Sequence, residues 1–165
     1  MINLEEAMRT YGNDVLRLAY VYVGSEASAQ DIFQEVFLKV YKHQESFLEK
    51  SSMKTWIYKI TINTCKDYLK SAWVRRAQNQ LSESTATEES LEDAAARNDE
   101  ARRVTQKVLA LPAAYKDVIL LYYYKQLDTR EIAQVLQIAQ GTVRSRLHRG
   151  RLLLQKALES EVTAI

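Results

Sequence analysis

Apolar side chains at helical spacing restrict the fold of this 165-residue chain more than any other feature. Between positions 29 and 41 they recur every three or four residues, which is the pattern of one buried face of an α-helix. The members of this stripe are Ala29, Ile32, Phe33, Val36, Phe37, Val40 and Tyr41. The chain has only four glycines and one proline, too few for the many turns of a β-sandwich. The sequence therefore predicts an all-α fold.

Capping residues and periodicity place the other helices. Asn3 with Glu6, and Asp128 with Glu131, have the spacing of a capping box that opens a helix. Gly24 is predicted to end the first helix, and Ser25 to cap the second. A third helix is predicted to follow Ser51 and Ser52, and the second half is predicted to contain helices at 101–110, 113–124, 128–136 and 142–158.

Several kinds of site are not indicated by the sequence. Cys65 is the only cysteine and so cannot form an internal disulfide, and the two histidines, His43 and His148, are too far apart in sequence to suggest a metal cluster. The first residues are acidic, unlike a signal peptide, and no stretch approaches the ~18 apolar residues that span a bilayer. We therefore expect a cytoplasmic protein without membrane insertion, metal, cofactor or catalytic site.

The small net charge of +2 hides a segregation of charge along the chain. Residues 54–76 carry a net charge of +5, residues 83–100 carry −6, and residues 142–158 carry +5 with no acidic residue. Two basic segments separated by an acidic one suggest two contacts with one polyanion. The alternative is that each block of charge only solvates a helix face.

Residues 77–100 differ in composition from the rest of the chain. They are rich in Ser, Thr and Glu and contain few large apolar residues, so they cannot bury enough surface to offset the entropy lost on ordering. We predict a flexible acidic linker at 77–100 between two small helical domains, residues 1–76 and 101–160.

The second predicted domain ends in a helix-turn-helix pattern. The capped helix at 128–136 is followed by a short break and then by a basic helix, an arrangement in which the second helix enters the major groove of DNA. Its polar side is formed by Arg144, Ser145, His148, Arg149 and Arg151. Arginine can bond the O6 and N7 atoms of guanine, although a solvated amphipathic helix would look similar.

Three strings in the sequence resemble a known family. The string I-A-Q-V-L-Q-I-A-Q-G-T-V-R-S-R-L-H-R-G-R resembles the helix-turn-helix with which bacterial sigma factors read the promoter −35 element. The strings D-I-F-Q-E-V-F and E-S-F-L-E-K-S-S-M-K-T-W-I-Y-K-I-T-I-N-T-C-K-D-Y-L resemble the segments that bind core polymerase and the −10 element. The chain thus resembles the extracytoplasmic-function (group 4) sigma factors, which have only sigma domains two and four.

This resemblance implies a non-enzymatic factor that binds core RNA polymerase, directs it to promoters and helps to open the duplex. It further implies a role in a stress or envelope response, under the control of an anti-sigma factor. In sigma domain four, the residues implied to contact the −35 element are Thr142, Arg144, Ser145, Arg146, His148 and Arg149.

One face of the second helix is predicted to bind the polymerase. Asp31, Gln34, Glu35 and Leu38 lie opposite the apolar stripe, and an acidic face with an apolar centre suits a basic partner. By resemblance the partner is the clamp coiled coil of the polymerase β′ subunit. From the residues alone, a solvated helix face with one exposed leucine is the simpler interpretation.

A face of the third helix suits single-stranded DNA, because lysines can meet phosphates while an indole stacks on a base. This face consists of Trp56, Lys59, Asn63, Lys66 and Lys70. Trp56 could instead belong to the core. The preceding loop resembles the segment that captures a flipped −10 base, and its candidate residues are Phe47, Ser51, Ser52 and Met53. The two serines could equally cap the helix.

Two positions depart from the family pattern. Gln137 and Gly150 stand where glycine and alanine are common, at an expected cost of about 1 kcal/mol each.

Two other functions compete with the sigma-factor assignment. The first competing function is a stand-alone repressor or activator that binds palindromic DNA as a dimer. The second is an enzyme whose site would assemble around Asp31, Glu35 and His43, although no substrate-orienting glycine loop accompanies them.

Overall fold

The computed structural model describes residues 2–47, 51–78 and 99–163, and within these ranges it contains helices and no strands. The predicted all-α fold is therefore confirmed. The α-helices of the described residues are α1 (Leu4–Val23), α2 (Glu26–Lys42), α3 (Met53–Gln78), α4 (Asp99–Leu109), α5 (Ala113–Ile119), α6 (Thr129–Leu136) and α7 (Gln140–Thr163). A 3₁₀ turn at Gln44–Ser46 follows α2, and a π-helical turn at Leu120–Tyr124 follows α5.

The chain divides into two compact units, residues 1–94 (unit one) and residues 95–165 (unit two). Unit one contains α1 to α3, and unit two contains α4 to α7. The helices reach into both ends of the predicted linker, because α3 continues to Gln78 and α4 already begins at Asp99. The rest of that predicted linker lies outside the described residues.

Side-chain caps begin the three helices of unit one where the sequence predicts them. The Asn3 side chain accepts a hydrogen bond from the Glu6 backbone N–H, and the Ser25 hydroxyl accepts one from Ser28. The Ser52 hydroxyl accepts one from the backbone N–H of Thr55 at 3.1 Å. Each bond satisfies a donor that the first turn of a helix leaves without an intrahelical partner.

The core of unit one forms where α1, α2 and α3 pack against one another. Its fully buried large side chains are Val15, Leu18, Ile32, Val36, Ile57, Tyr58 and Ile62. In the predicted stripe of α2, Phe33 is half-buried and 59% of Tyr41 is exposed, whereas the other members are buried as predicted. Tyr41 lies one residue before the last of α2, and its neighbours in space do not cover it.

In unit two, the predicted single helix at 113–124 is interrupted. The helix α5 ends at Ile119, and the next five residues form a π-helical turn closed by a bond from Lys125 N–H to the Leu120 carbonyl. Residues 118–121 are four consecutive side chains that are all buried. An ideal α-helix turns 100° per residue and would spread four such side chains around most of its circumference. The π-helical turn, which is wider than an α-helical turn, accompanies the burial of these four side chains. The apolar periodicity of the sequence does not reveal this turn.

The helix-turn-helix of unit two has the predicted form. Asp128 and Glu131 make both hydrogen bonds of a capping box at the start of α6. Gln137 ends α6 with φ 56° and ψ 48°, so the turn does require the left-handed conformation for which glycine is favoured. Val143 and Leu147 anchor α7, with relative exposures of 0% and 3%.

Gly150 has a packing role that the sequence does not suggest. It is buried inside α7, and a β-carbon at this position would lie 3.2 Å from Cγ1 of Ile119. The glycine thus allows α7 to approach α5 closely. Glycine lowers the helix propensity at this position, but an alanine would crowd the core. The two effects on stability therefore oppose each other.

Candidate nucleic-acid and polymerase-binding surfaces

The first three turns of α7 present a basic surface. Arg144, Ser145, His148 and Arg149 are exposed, whereas Thr142 and Arg146 are half-buried. The chain has no acidic residue between Glu131 and Glu159. Within the part of unit two that the structure describes, no carboxylate forms an ion pair with these arginines. The surface is therefore suited to a polyanion.

Contacts between α6 and α7 fix the direction of this surface. The Gln140 side-chain amide donates to the Thr129 hydroxyl at 2.8 Å and so ties the first turn of α7 to the first turn of α6. The Ser145 hydroxyl donates to the Thr142 carbonyl at 3.2 Å. Since Ser145 is short and bonded inward, it leaves room for a groove edge to approach between the longer side chains.

Arg151 has a different environment from the other arginines of α7. Its Nε donates a hydrogen bond to the Tyr123 hydroxyl at 2.7 Å, and its guanidinium lies 5.4 Å from the centre of the Tyr122 ring. The residues of the π-helical turn thus hold Arg151 by a hydrogen bond and cation–π contacts. Its position in the sequence places Arg151 in the basic cluster, but these contacts give it a role within unit two.

The outer face of α2 is acidic with an apolar centre. Asp31, Gln34 and Glu35 are exposed, and 59% of Leu38 is exposed. The Glu35 carboxylate lies 3.4 Å from the Lys39 ammonium, which also donates to the Thr64 hydroxyl of α3. Tyr41, three positions after Leu38 and equally exposed, enlarges the apolar part. Its spacing from Leu38 is the signal that could have placed it on this face.

At the start of α3, the structure shows which of the three large side chains at positions 56–58 enter the core. Ile57 and Tyr58 are buried, whereas Trp56 is half-buried and packs against Phe47 with ring centres 5.0 Å apart. The indole is thus held in place by Phe47 but keeps an accessible part. Farther along the same side, Lys59 is half-buried and Asn63 is exposed. Lys66 is half-buried and Lys70 exposed.

The loop before α3 is described only in part, because residues 48–50 lie outside the described residues. The Ser52 hydroxyl caps α3, because it forms hydrogen bonds with both the backbone N–H and the side-chain hydroxyl of Thr55. Ser51 and Met53 are half-buried beside it. Capping thus accounts for the hydrogen bonds of the Ser52 side chain. Ser52 is nevertheless exposed, so a ligand can reach it.

Two further findings bear on function. Among the described side chains, no group of three or more His, Cys, Asp or Glu residues is placed to hold a metal ion. No helix of the described ranges is long and apolar enough to cross a membrane.

Comparison with protein-family models gives two matches, one in each unit. Residues 7–75 match the model of sigma-70 region 2, and residues 101–154 match that of sigma-70 region 4. Among whole proteins, the chain is 32% identical over 161 residues to the ECF RNA polymerase sigma factor SigW of Bacillus subtilis, covering 90% of this chain and 84% of SigW. It is 33% identical over 160 residues to the ECF RNA polymerase sigma-E factor of Haemophilus influenzae, with the same coverages.

Solved structures show the same fold. CnrH, in complex with the cytosolic domain of CnrY, superposes with a TM-score of 0.71 at 20% identity, covering 95% of this chain and 88% of CnrH. The sigma factor RpoE of Bartonella quintana, in complex with the anti-sigma factor NepR, superposes with a TM-score of 0.69 at 19% identity, covering 94% and 96%. Both family models, in the expected order, and relatives of matching length establish the same assignment: the chain belongs to the extracytoplasmic-function sigma factors of bacterial RNA polymerase.

Proposed function

We propose that this sigma factor binds core RNA polymerase through the outer face of α2 and contacts promoter DNA through α3 and α7. The observation that carries the proposal is the exposed basic start of α7, free of acidic neighbours in sequence and fixed on the capped helix α6. It occurs in a chain that contains both sigma regions in order. The chain supplies promoter recognition, and the polymerase carries out RNA synthesis.

For the −35 element, we assign the reading residues to the first turns of α7. Arg144 and Ser145 lie near the end of the helix that enters the major groove, where arginine recognises guanine. Arg149 is five positions farther along, and at 100° per residue it points about 140° away from Arg144 around the helix axis. We therefore assign Arg149 to a backbone phosphate. Thr142, Arg146 and His148 complete the surface.

For the −10 element, we assign the strand to the α3 face that begins at Trp56 and continues through Lys59, Asn63, Lys66 and Lys70. The Phe47–Trp56 stack supports this assignment, because it holds an indole in a fixed orientation while part of it stays accessible. A fixed aromatic ring loses little side-chain entropy when a base stacks on it. Ser51, Ser52 and Met53 would line the approach to that ring.

For the polymerase, we assign Asp31, Gln34, Glu35 and Leu38 to a contact with the clamp helices of the β′ subunit. Charge complementarity with a basic helix and an exposed apolar centre support this contact. We also propose that an anti-sigma factor controls the chain in the cytoplasm in response to a stress or envelope signal. The RpoE relative of the same fold was solved in complex with an anti-sigma factor.

Run-off transcription tests the proposed function. The full chain is mixed with purified core polymerase and genomic promoter fragments, and we expect transcripts that require both components. A well-folded chain that yields no core-dependent transcript but binds duplex DNA tightly by itself would indicate the stand-alone repressor or activator instead.

A further inference from the structure

The last turns of α3 carry an apolar side chain that the described residues of unit one leave exposed. Trp73 is 72% exposed, the largest fraction among the large apolar side chains of the described residues, and the next residue, Val74, is 49% exposed. An indole buries a large area when it is covered and is therefore costly to leave in water. Its exposure suggests a binding partner.

Trp73 continues the face of α3 that is assigned to the −10 strand. It follows Lys70 by three positions and Lys66 by seven, so the three side chains lie on one side of the helix. Trp56 begins this face and lies 17 residues earlier, which is about 25 Å along the helix axis. The face thus has an aromatic ring near each end, with basic and amide side chains between them.

The charge around Trp73 identifies the chemistry of the partner. Lys70, Arg75 and Arg76 lie within three positions of it, and Asp67 is the single acidic residue between positions 54 and 78. Tryptophan and arginine are common at the core of protein–protein interfaces, but lysine is depleted there, so the lysines Lys66 and Lys70 beside Trp73 are what favour a polyanion as the occupant. An aromatic ring among regularly spaced lysines is the composition of a single-strand binding surface.

We propose that Trp73 is a second stacking platform for an unpaired base of the promoter strand, with Lys66 and Lys70 on the adjoining phosphates. This inference rests on the proposed −10 contact and extends it by one turn beyond Lys70. A duplex buries its base faces in the helical stack, so the site favours single-stranded over double-stranded DNA.

Fluorescence of a single tryptophan tests the stacking directly. The chain has two tryptophans, so a full-length Trp56→Phe variant reports on Trp73 alone. We titrate it with a single-stranded DNA oligonucleotide of about 12 nucleotides, within the usual site sizes for such surfaces, and with the same sequence as a duplex. We expect quenching by the single strand at lower concentration than by the duplex. Unchanged emission with the single strand would overturn the proposal.

Substitutions separate stacking from generic apolar contact. In the full chain, Trp73→Ala should weaken binding of the same oligonucleotide about tenfold, whereas Trp73→Phe should retain most of the affinity because it keeps a π-face. Val74→Ala is the matched control and should have no effect. Lys70→Gln should reduce the salt dependence of binding by about 0.7 in the log–log slope, as for one phosphate of a single strand. A loss from Val74→Ala equal to that from Trp73→Ala would indicate a generic apolar contact with the oligonucleotide in place of base stacking and would overturn the proposal.

Substitutions elsewhere on the face distinguish this inference from the −10 assignment itself. In holoenzyme binding to a promoter fragment with an unpaired −10 region, Asn63→Ala and Trp73→Ala should both weaken the complex. Weakening by Asn63→Ala alone would refute the role of Trp73 and leave the −10 face intact. No weakening by either would refute the −10 assignment.

Discussion

Gly150 of α7 faces Ile119 of α5 so closely that a β-carbon at position 150 would lie 3.2 Å from Cγ1 and 3.3 Å from Cδ1 of Ile119. Ile119 is only 2% exposed and belongs to the core of unit two. The same β-carbon would lie 3.4 Å from Cβ of Tyr115. The glycine is thus part of the packing that fixes α7 on unit two.

We predict that Gly150→Ala destabilises unit two by about 1 kcal/mol. Alanine gains about 1 kcal/mol in helix propensity, but overpacking a tight core costs about 1–3 kcal/mol. Hydrogen exchange of the full chain measures the effect as lower protection of the amides at residues 118–121. Gly141→Ala is the control, because nothing lies within 4 Å of its β-carbon position, and it should leave protection equal or higher. An increase in protection from Gly150→Ala would contradict the packing argument.

At the helix-turn-helix, we predict that Gln137→Gly stabilises unit two by about 0.5–1 kcal/mol. Gln137 has φ 56°, a conformation that strains any residue with a β-carbon. The control is Gln134→Gly inside α6, an exposed glutamine in ordinary helical conformation, which should lose about the same amount. Hydrogen exchange at α6 reports both changes, and shifts of the same sign in the two variants would rule out the conformational explanation.

For the polymerase contact, we predict that Glu35→Lys lowers affinity for core polymerase at least tenfold. Charge reversal across a desolvated contact typically costs several kcal/mol, whereas an exposed site changes folding stability by only ~0.5 kcal/mol. Glu26→Lys makes the same charge change at an exposed position of α2 outside the proposed face and should leave core binding unchanged. Tryptophan fluorescence in denaturant reports unit one, which contains both tryptophans. If Glu35→Lys binds core as well as the natural chain, this face is only solvated surface.

Within α7, we predict different effects from two arginine substitutions. Arg144→Ala should cost ~1–3 kcal/mol on the preferred −35 sequence and little on a scrambled duplex. Arg149→Ala should weaken both duplexes alike and reduce the salt slope by about one. Holoenzyme binding to matched and scrambled −35 duplexes across a salt series separates the two effects. Relaxed sequence preference from Arg149→Ala would mean that the two roles are reversed.

For the predicted linker, we predict that limited proteolysis of the free chain cuts first between residues 79 and 98. Its Ser, Thr and Glu-rich composition is unfavourable for a packed core and typical of a protease-sensitive connection. Mass spectrometry should then identify two helical fragments that contain α1–α3 and α4–α7. Resistance of this stretch, with first cuts inside a helix, would contradict the proposed domain boundaries.

Local sequence patterns predicted much of the fold, because they depend on neighbours in the chain. The caps at Asn3, Ser25 and Asp128 need only a side chain and a backbone N–H three residues later. The left-handed conformation of Gln137 was suggested only by the family resemblance, in which glycine is common at this position, and the structure shows it. The same periodicity failed at Tyr41, because it reports the direction of a side chain but not whether another helix covers it.

The sequence by itself thus determined the helical class, the two basic segments and the helix-turn-helix, since spacing and charge are properties of the chain. Only the tertiary structure decided which side chains meet across helices. It placed Arg151 on Tyr122 and Tyr123, set Trp56 against Phe47, and made Gly150 a point of close approach. These contacts join residues separated by up to 35 positions, and their distances follow from the crossing of packed helices, which no local pattern encodes.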